Sequence, residues 1–401
     1  MMAVLISLSP NVEKDDLFLA LKLFFCPWKW RKGKAIKSLE ESFSSFFRSK
    51  AVSFVSGRTA LMAILKSLDL EKGDEVLIQA FTCNAVVNPI LWSGLKPIFV
   101  DIEKDSLNIN PDELEKKITP KSKVVIVQHT FGKPAELDRI LEICNNHNLI
   151  LIEDCAHCLG GEYQGRKLGT FGKAAFFSLG RDKIISSVYG GLAISQNEGL
   201  IKKIRSYQEE LRLPGFLWIK QQLLHPLLTK PFIIPLYTFF GLGKYKLVAL
   251  QRLGILSKAV HKKEKKGEMP GYLLKKLPNA LAVLGLNQFK KLKRFNDHRQ
   301  KIAEVYNPNA EKRVYMRYPV FVKDSDKVLS LFKKKGIYLN DGWRKSVIVP
   351  LDTDISKMDY VKGSCPVAEL VAEQIVNLPT HINISLKQAR KIKAFLEELE
   401  N

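Results

Sequence analysis

The sequence predicts an α/β fold, in which a mostly parallel sheet lies between layers of helices. Three observations lead there. Seven apolar runs of strand length fall between residues 51 and 196. Most are nearly continuous in Val, Ile, Leu and Phe rather than alternating, as strands covered on both faces are. Amphipathic stretches of helical length separate several of them, the rhythm of β-α units in one sheet.

The strand runs are AVSFVSG (51–57), DEVLIQA (74–80), KPIFVDI (96–102), KVVIVQH (123–129), LILIEDC (149–155), AAFFSL (174–179) and GGLAISQ (190–196). Between them lie the helical stretches TALMAILKSLDL (59–70), AVVNPILWSG (85–94), PDELEKKI (111–118) and AELDRILEICNNH (135–147). Before this block, apolar LFLALKLFF, basic and aromatic PWKWRKGK, and AIKSLEESFSSFF with helical spacing read as a helical arm packed on the main domain. After it, residues 200–269 break the rhythm with long apolar stretches and many lysines. From Pro278 a single long helix is expected over 279–306, leading into a C-terminal α+β region with RYPVFV, DKVLSLFKKKGI and a final LKQARKIKAFLEELE helix. The expected organisation is an N-terminal arm (1–50), a large α/β domain (51–215), a hydrophobic and basic insert (216–277) and a small C-terminal domain (278–401).

The chain has 401 residues, enough for one large core and a smaller one. Its formal net charge of +22 favours an anionic partner: nucleic acid, an acidic membrane surface or a phosphorylated small molecule. No helix-turn-helix, zinc or RNA-recognition signature accompanies the charge, so no nucleic acid is expected. Six scattered cysteines do not resemble a secreted disulfide framework, and MMAVLISLSPNVEKDD turns acidic too early for a signal peptide. Both point to a reducing, cytoplasmic location. No apolar run reaches the ~20 residues of a spanning helix.

In parallel sheets, ligands gather at the carboxyl ends of strands. The first run delivers Ser56, Gly57, Arg58 and Thr59 at a helix start, where exposed amides make a phosphate seat. LILIEDC delivers Glu153 and Asp154, followed by Cys155 and His157; a carboxylate there can hold a protonated pyridine nitrogen. AAFFSL delivers Ser178, and Lys183 follows, placed to bond an aldehyde cofactor. Each piece has an ordinary reading too: a capped helix start, a metal-binding or structural acid, a solvated lysine. Together, in one sheet, they mark where the phosphate, ring nitrogen and aldehyde of pyridoxal 5'-phosphate would sit.

The segments SGRTAL (56–61), GDEVLIQAFT (73–82), VQHTFGKPAELD (127–138), LIEDCAHCLGGEYQGRKLGTFG (151–172), FFSLGRDKIISSVYGGLAI (176–194) and CPVAELVAEQIVNLPTH (365–381) carry a specific resemblance. In order and spacing the chain resembles the DegT/StrS-type sugar aminotransferases, a branch of the aspartate-aminotransferase-like fold (fold type I). The resemblance implies that Lys183 forms the Schiff base, Asp154 pairs with the pyridine nitrogen, and His157 lies near the ring oxygen. It implies Ser178, Gly57 and Arg58 for the phosphate, and leaves His129 without a settled role. Family dehydratases carry histidine at the position of Lys183, so lysine implies amine transfer, typically from glutamate to a nucleotide-linked keto sugar. A homodimer, amino-sugar or polysaccharide biosynthesis and no metal are implied with it; a PLP-binding member with a regulatory role is the alternative.

Several departures stand out. Cys83 follows Thr82 where an aromatic usually stacks on the cofactor, which leaves Phe81 or another residue for that task. Arg58 replaces a threonine, and Leu274 and Lys276 occupy the family's Asn-x-Arg positions. Cys155 and Cys158 form a C-x-x-C with no second ligand pair, and read as packed small residues. In residues 216–266, aromatic and apolar side chains (Phe216 to Phe240) alternate with lysines, which suits either a peripheral membrane contact, with a lipid-linked acceptor, or a hydrophobic dimer or interdomain contact.

Overall fold

The computed structural model describes residues 3–237, 239 and 241–400; Phe240 of the insert lies outside them. Seven strands form the central sheet: β1 (Lys50–Phe54), β2 (Glu75–Gln79), β3 (Lys96–Val100), β4 (Ser122–Gln128), β5 (Ile150–Asp154), β6 (Ala174–Ser178) and β7 (Gly191–Ser195). Their spatial order is β1-β7-β6-β5-β4-β2-β3. Every neighbouring pair is parallel except those made by β7, which runs antiparallel to both β1 and β6. The carboxyl ends of β1 to β6 and the amino end of β7 therefore share one edge of the sheet.

The apolar runs form this sheet because both faces are covered. Val124, Val125 and Val127 of β4 are fully buried, as are Leu192, Ala193 and Ile194 of β7. Burying each such Val, Leu or Ile side chain contributes about 1.5–3 kcal/mol before the entropy of ordering the chain. The arm supplies one cover. Helix Ala35–Phe47 buries Leu39, Phe43 and Phe47 on one stripe, and the Phe43 and Phe47 rings lie 5.7 and 4.7 Å from Phe177 of β6.

The helix expected over 279–306 is two helices, Asn279–Phe289 and Leu292–Tyr306, separated at Lys290 and Lys291. The first packs on helix Ala35–Phe47, with the Phe289 ring stacked on Phe43 at 4.8 Å. Its apolar residues thus join the core of the sheet. The second joins the C-terminal region, where β8 (Arg317–Phe321) and β9 (Ile375–Pro379) pair antiparallel. Ile302, Phe332, Leu378 and Ile392 form that region's own core. Val4 and Leu5 add a short parallel strand to Ile337 and Tyr338, so the beginning of the arm reaches the C-terminal region.

The insert divides in two. Ile219 and Leu223 of helix Phe216–Leu228 enter the main core, while Ile233, Ile234, Tyr237, Leu247 and Leu256 pack into a small core with Ala3 and Leu5. Phe216, Leu217, Phe232 and Tyr245 stay exposed. Among the described residues no helix is long and apolar enough to cross a membrane.

Candidate functional site

A cavity of about 400 Å³ opens at the shared strand edge. Gly57, Arg58, Asp154, His157, Ser178 and Lys183 all line it. The sheet brings them together by register: Asp154 on β5 pairs with Phe176 on β6, and Ser178 pairs with Gly191 on β7, which pairs with Phe54 on β1.

The helix Gly57–Lys66 starts directly after β1. Ser56 caps it, its Oγ accepting from the Thr59 amide at 3.2 Å. The amides of Gly57 and Arg58 have no partner among the described residues, so the seat stays open for an anion. Gly57 lets the helix start approach β6 closely: a Cβ there would lie 3.1 Å from Ser178 Cβ and 3.3 Å from the Phe177 carbonyl oxygen. Gly191 is tighter still, since its Cβ would sit 2.3 Å from the Gly57 nitrogen.

The side chains of Glu153 and Asp154 point to opposite faces of β5. Glu153 faces away from the cavity and accepts the amides of Gly169, Phe171 and Gly172 at 2.7, 2.6 and 2.8 Å, with His129 Nε2 at 3.3 Å. Asp154 faces the cavity. Its Oδ1 accepts the Ala156 amide at 2.9 Å, and Oδ2 has no hydrogen-bond partner among the described residues. Burial raises its pKa, a strain that a buried cationic N–H would relieve.

Lys183 projects from the loop after β6. Burial pushes its ammonium below the ordinary lysine value, and its Nζ has no hydrogen-bond partner among the described residues. Asn11 fixes the loop by donating to the Lys183 carbonyl at 2.6 Å, while Arg299 donates to Asn11 Oδ1 at 2.8 Å and to the Ile184 carbonyl at 3.0 Å. The His157 Nδ1 accepts the Phe131 amide at 3.4 Å, and its ring stacks on Phe131 with 10° between planes. Burial, then Lys183 and Arg317, keep it neutral, well below the usual imidazole value. Two amides without a protein partner among the described residues, a buried carboxylate oxygen and a buried amine around one cavity fit the phosphate, ring nitrogen and aldehyde of pyridoxal 5'-phosphate.

Two expectations change. The Arg58 side chain does not turn to the phosphate seat: its guanidinium pairs with Glu264 of the insert and donates to the Ala259 carbonyl at 3.2 Å. Glu264 is fully buried and also accepts the His261 amide at 2.8 Å and the Tyr272 hydroxyl at 3.0 Å. Only the backbone of Arg58 is left for the seat. Phe81 does not reach the cavity; it is buried against Phe131 and Trp343. Cys83, His157 and Trp343 are on the wall instead.

His129 lies behind the cavity wall. It, Cys155 and Cys158 have ligand-capable atoms within 4.8 Å of one another. Both ring nitrogens of His129 are engaged, Nε2 with Glu153 and Nδ1 with the Ala135 amide at 3.2 Å, and burial raises both thiol pKa values. The trio is packed rather than poised to ligate. Leu274 and Lys276 run beside β1, where Lys276 bridges to Phe54.

Several cavity residues carry no signal in the sequence. Arg317 on β8 pairs with Asp341, each 3% exposed, and Asn377 donates to Asp341 at 2.9 Å. Lys258, Ala259, Val260 and Lys265 of the insert form a roof. Arg181 clips it by donating to the Ser257 carbonyl at 2.6 Å, and Tyr189 by donating to the Lys258 carbonyl at 2.5 Å.

The sequence profile of the DegT/DnrJ/EryC1/StrS aminotransferase family matches residues 24–229 and 242–397. A protein of Methanocaldococcus jannaschii, described as uncharacterized protein MJ1066, is 28% identical over 93% of this chain and 91% of its own length. The GDP-perosamine synthase of Vibrio cholerae is 36% identical over 44% of this chain, a match spanning 48% of that enzyme. Among solved structures, the aminotransferase PseC of Helicobacter pylori, involved in pseudoaminic acid biosynthesis, superimposes with a TM-score of 0.74 at 21% identity over 99% of both chains. That likeness establishes the fold.

Proposed function

This chain belongs to the DegT/DnrJ/EryC1/StrS aminotransferase family, and on that premise we propose that it transfers an amino group from glutamate to a keto sugar carried on a nucleotide or a lipid. The observation that carries the reading is the meeting of Lys183, Asp154 and the open amides of Gly57 and Arg58 around one cavity. The GDP-perosamine synthase relative supports a sugar as the acceptor.

Bound here, pyridoxal phosphate supplies an aldehyde carbon that takes up an amine and a ring that draws electrons from the adjoining C–H bond. The seat amides and the Ser178 hydroxyl would hold its phosphate. Asp154, with its free oxygen, would hold the protonated ring nitrogen. Lys183 would hold the aldehyde carbon through its amine. The Lys183 amine, when free, would take the proton from the donor's α-carbon and would give one to the sugar carbon that receives nitrogen. Its lowered pKa suits it to that work. The neutral His157, stacked on Phe131, bounds the cavity as a hydrogen-bonding edge.

The same reading places the protein in the cytoplasm, as its six free cysteines favour. It makes the active form a homodimer, with exposed apolar Leu351 beside cavity-lining Pro350 as contact surface, and sets residues 216–266 against a membrane. Absorbance tests the chemistry. Purified protein should carry a visible cofactor band that Lys183→Ala removes. Glutamate should bleach the band and a keto sugar should restore it. A band indifferent to every amino donor would refute amine transfer.

A further inference from the structure

Helix Lys14–Phe24 packs against helix Phe216–Leu228, although two hundred residues separate them in sequence. Lys220 lies over the Phe24 ring at 5.6 Å, and Arg31 lies over the Phe216 ring at 5.6 Å. The two segments therefore share one outward surface. On the first helix Phe18, Leu21 and Phe25 recur at helical spacing and are exposed, followed by Trp28 at 71% exposure. On the insert Leu217 is 84% exposed and Leu253 73%. Gln221 ties these two together by donating to the Gly254 carbonyl at 2.6 Å. Single exposed apolar residues need no explanation, but a joined group of them does.

Charge decides what covers this face. Residues 216–266 hold ten Lys and Arg and a single acid, Glu264. That acid is buried against Arg58, so the exposed charges of the insert are all basic, while exposed Asp15 of the first helix is paired with Lys291. A two-fold contact with a second copy would set these lysines against themselves. An anionic bilayer complements them, each Lys or Arg near its surface adding to the attraction. Aromatic residues settle at the same headgroup level. A second cavity, of about 670 Å³, opens within the insert. Trp218 and Tyr272 line it together with Arg252, Lys258, His261 and Lys262, and no carboxylate is among its described lining residues. Aromatic walls under four basic groups suit a phosphate-bearing lipid headgroup.

We propose that the first helix and the insert form one docking face for an anionic phospholipid bilayer, with a lipid phosphate seated in the second cavity. This deepens the membrane placement given above by naming the face and its chemistry. It rests on the aminotransferase reading only for one consequence: a sugar on a lipid carrier would pass to the cofactor cavity by way of Tyr189 and Lys258, which line both cavities.

The test is flotation of the full-length, cofactor-loaded protein with vesicles of phosphatidylcholine alone or mixed equally with phosphatidylglycerol. Flotation is expected with the anionic vesicles and should be lost at high salt. Brominated acyl chains should quench tryptophan fluorescence in the wild type, and less in Trp28→Phe. Lys244→Glu with Lys246→Glu should weaken partitioning about tenfold or more. Absence of flotation on anionic vesicles overturns the proposal. So does a Leu217→Ser, Leu253→Ser double variant that splits an oligomer in light scattering yet floats as before, since the face would then belong to a second copy. The visible band and its bleaching by glutamate, read on the same samples, report separately on the enzyme assignment.

Discussion

The floor and the roof of the cofactor cavity are built in opposite ways. The floor comes from strand ends between residues 54 and 191, each placed by the register of its neighbour in one sheet. The roof comes from residues 258–265, held by Arg58–Glu264 and by Arg181 on Ser257, contacts that span 206 and 76 residues. The floor needs only the local rule that strands and helices alternate. The roof needs particular charges to find each other across the fold. The floor therefore presents the groups suited to chemistry, while the roof covers them from the insert side.

Mutations can break or sharpen that contrast. Lys183→Ala, in the floor, should lower kcat by about 10⁴-fold with little change in melting temperature, because it removes the acid and base together. Steady-state rates and calorimetry on one preparation would check both halves. Glu264→Ala, in the roof, should do the reverse. It leaves the Arg58 guanidinium buried without its partner, and denaturant unfolding should show a loss of about 3–5 kcal/mol. Glu264→Gln should lose less, since it keeps a hydrogen-bond acceptor. Should Glu264→Ala cost activity without stability, roof and floor would not be separable.

Asp154→Asn should lower kcat by about 10²–10³-fold, the scale of removing one preorganised electrostatic partner. In cofactor-free protein it should also relieve a burial penalty. The Asp154 pKa is raised by folding, so between its unfolded and folded values the native state holds more protons than the unfolded state. Stability falls there as pH rises, and Asp154→Asn should flatten that slope in pH-dependent unfolding.

The smallest effect concerns histidine. His157, His225, His298 and His381 are all held below the ordinary value by burial. The unfolded chain then binds protons that the folded chain refuses, so stability falls as pH drops below about 6.5. Each of the buried three, His157, His225 and His381, contributes up to about 1.4 kcal/mol per pH unit. His157→Gln should remove one such increment, read as a shallower acid limb in thermal melts across pH.

Legibility in the sequence follows the same division. The strand runs, and with them Gly57, Asp154, His157, Ser178 and Lys183, could be read because each lies a few residues beyond a recognisable apolar run. Arg317, Asp341 and Trp343 could not, since β8 is a half-buried strand whose partner β9 lies more than fifty residues onward. The role of Arg58 was hidden for a similar reason: its partner sits in a lysine-rich stretch, where one glutamate gives no sign of being buried. The helix expected over 279–306 kept its apolar spacing through Lys290 and Lys291, and only the need to reach two different cores separates it there. The arm's helices were legible, but the pinning of Lys183 by Asn11 was not, because a single asparagine carries no periodicity.

The tight fit at Gly191 has a consequence for how the central sheet can assemble. β7 is its one reversed strand, and a slip of one residue would turn each of its side chains to the opposite face. Here a slip by one position would drive Leu192 into the Gly57 nitrogen, where even a methyl group finds no space. The bare α-carbon thus acts as a stop, and misaligned pairings are rejected by collision before any cofactor arrives to select among them.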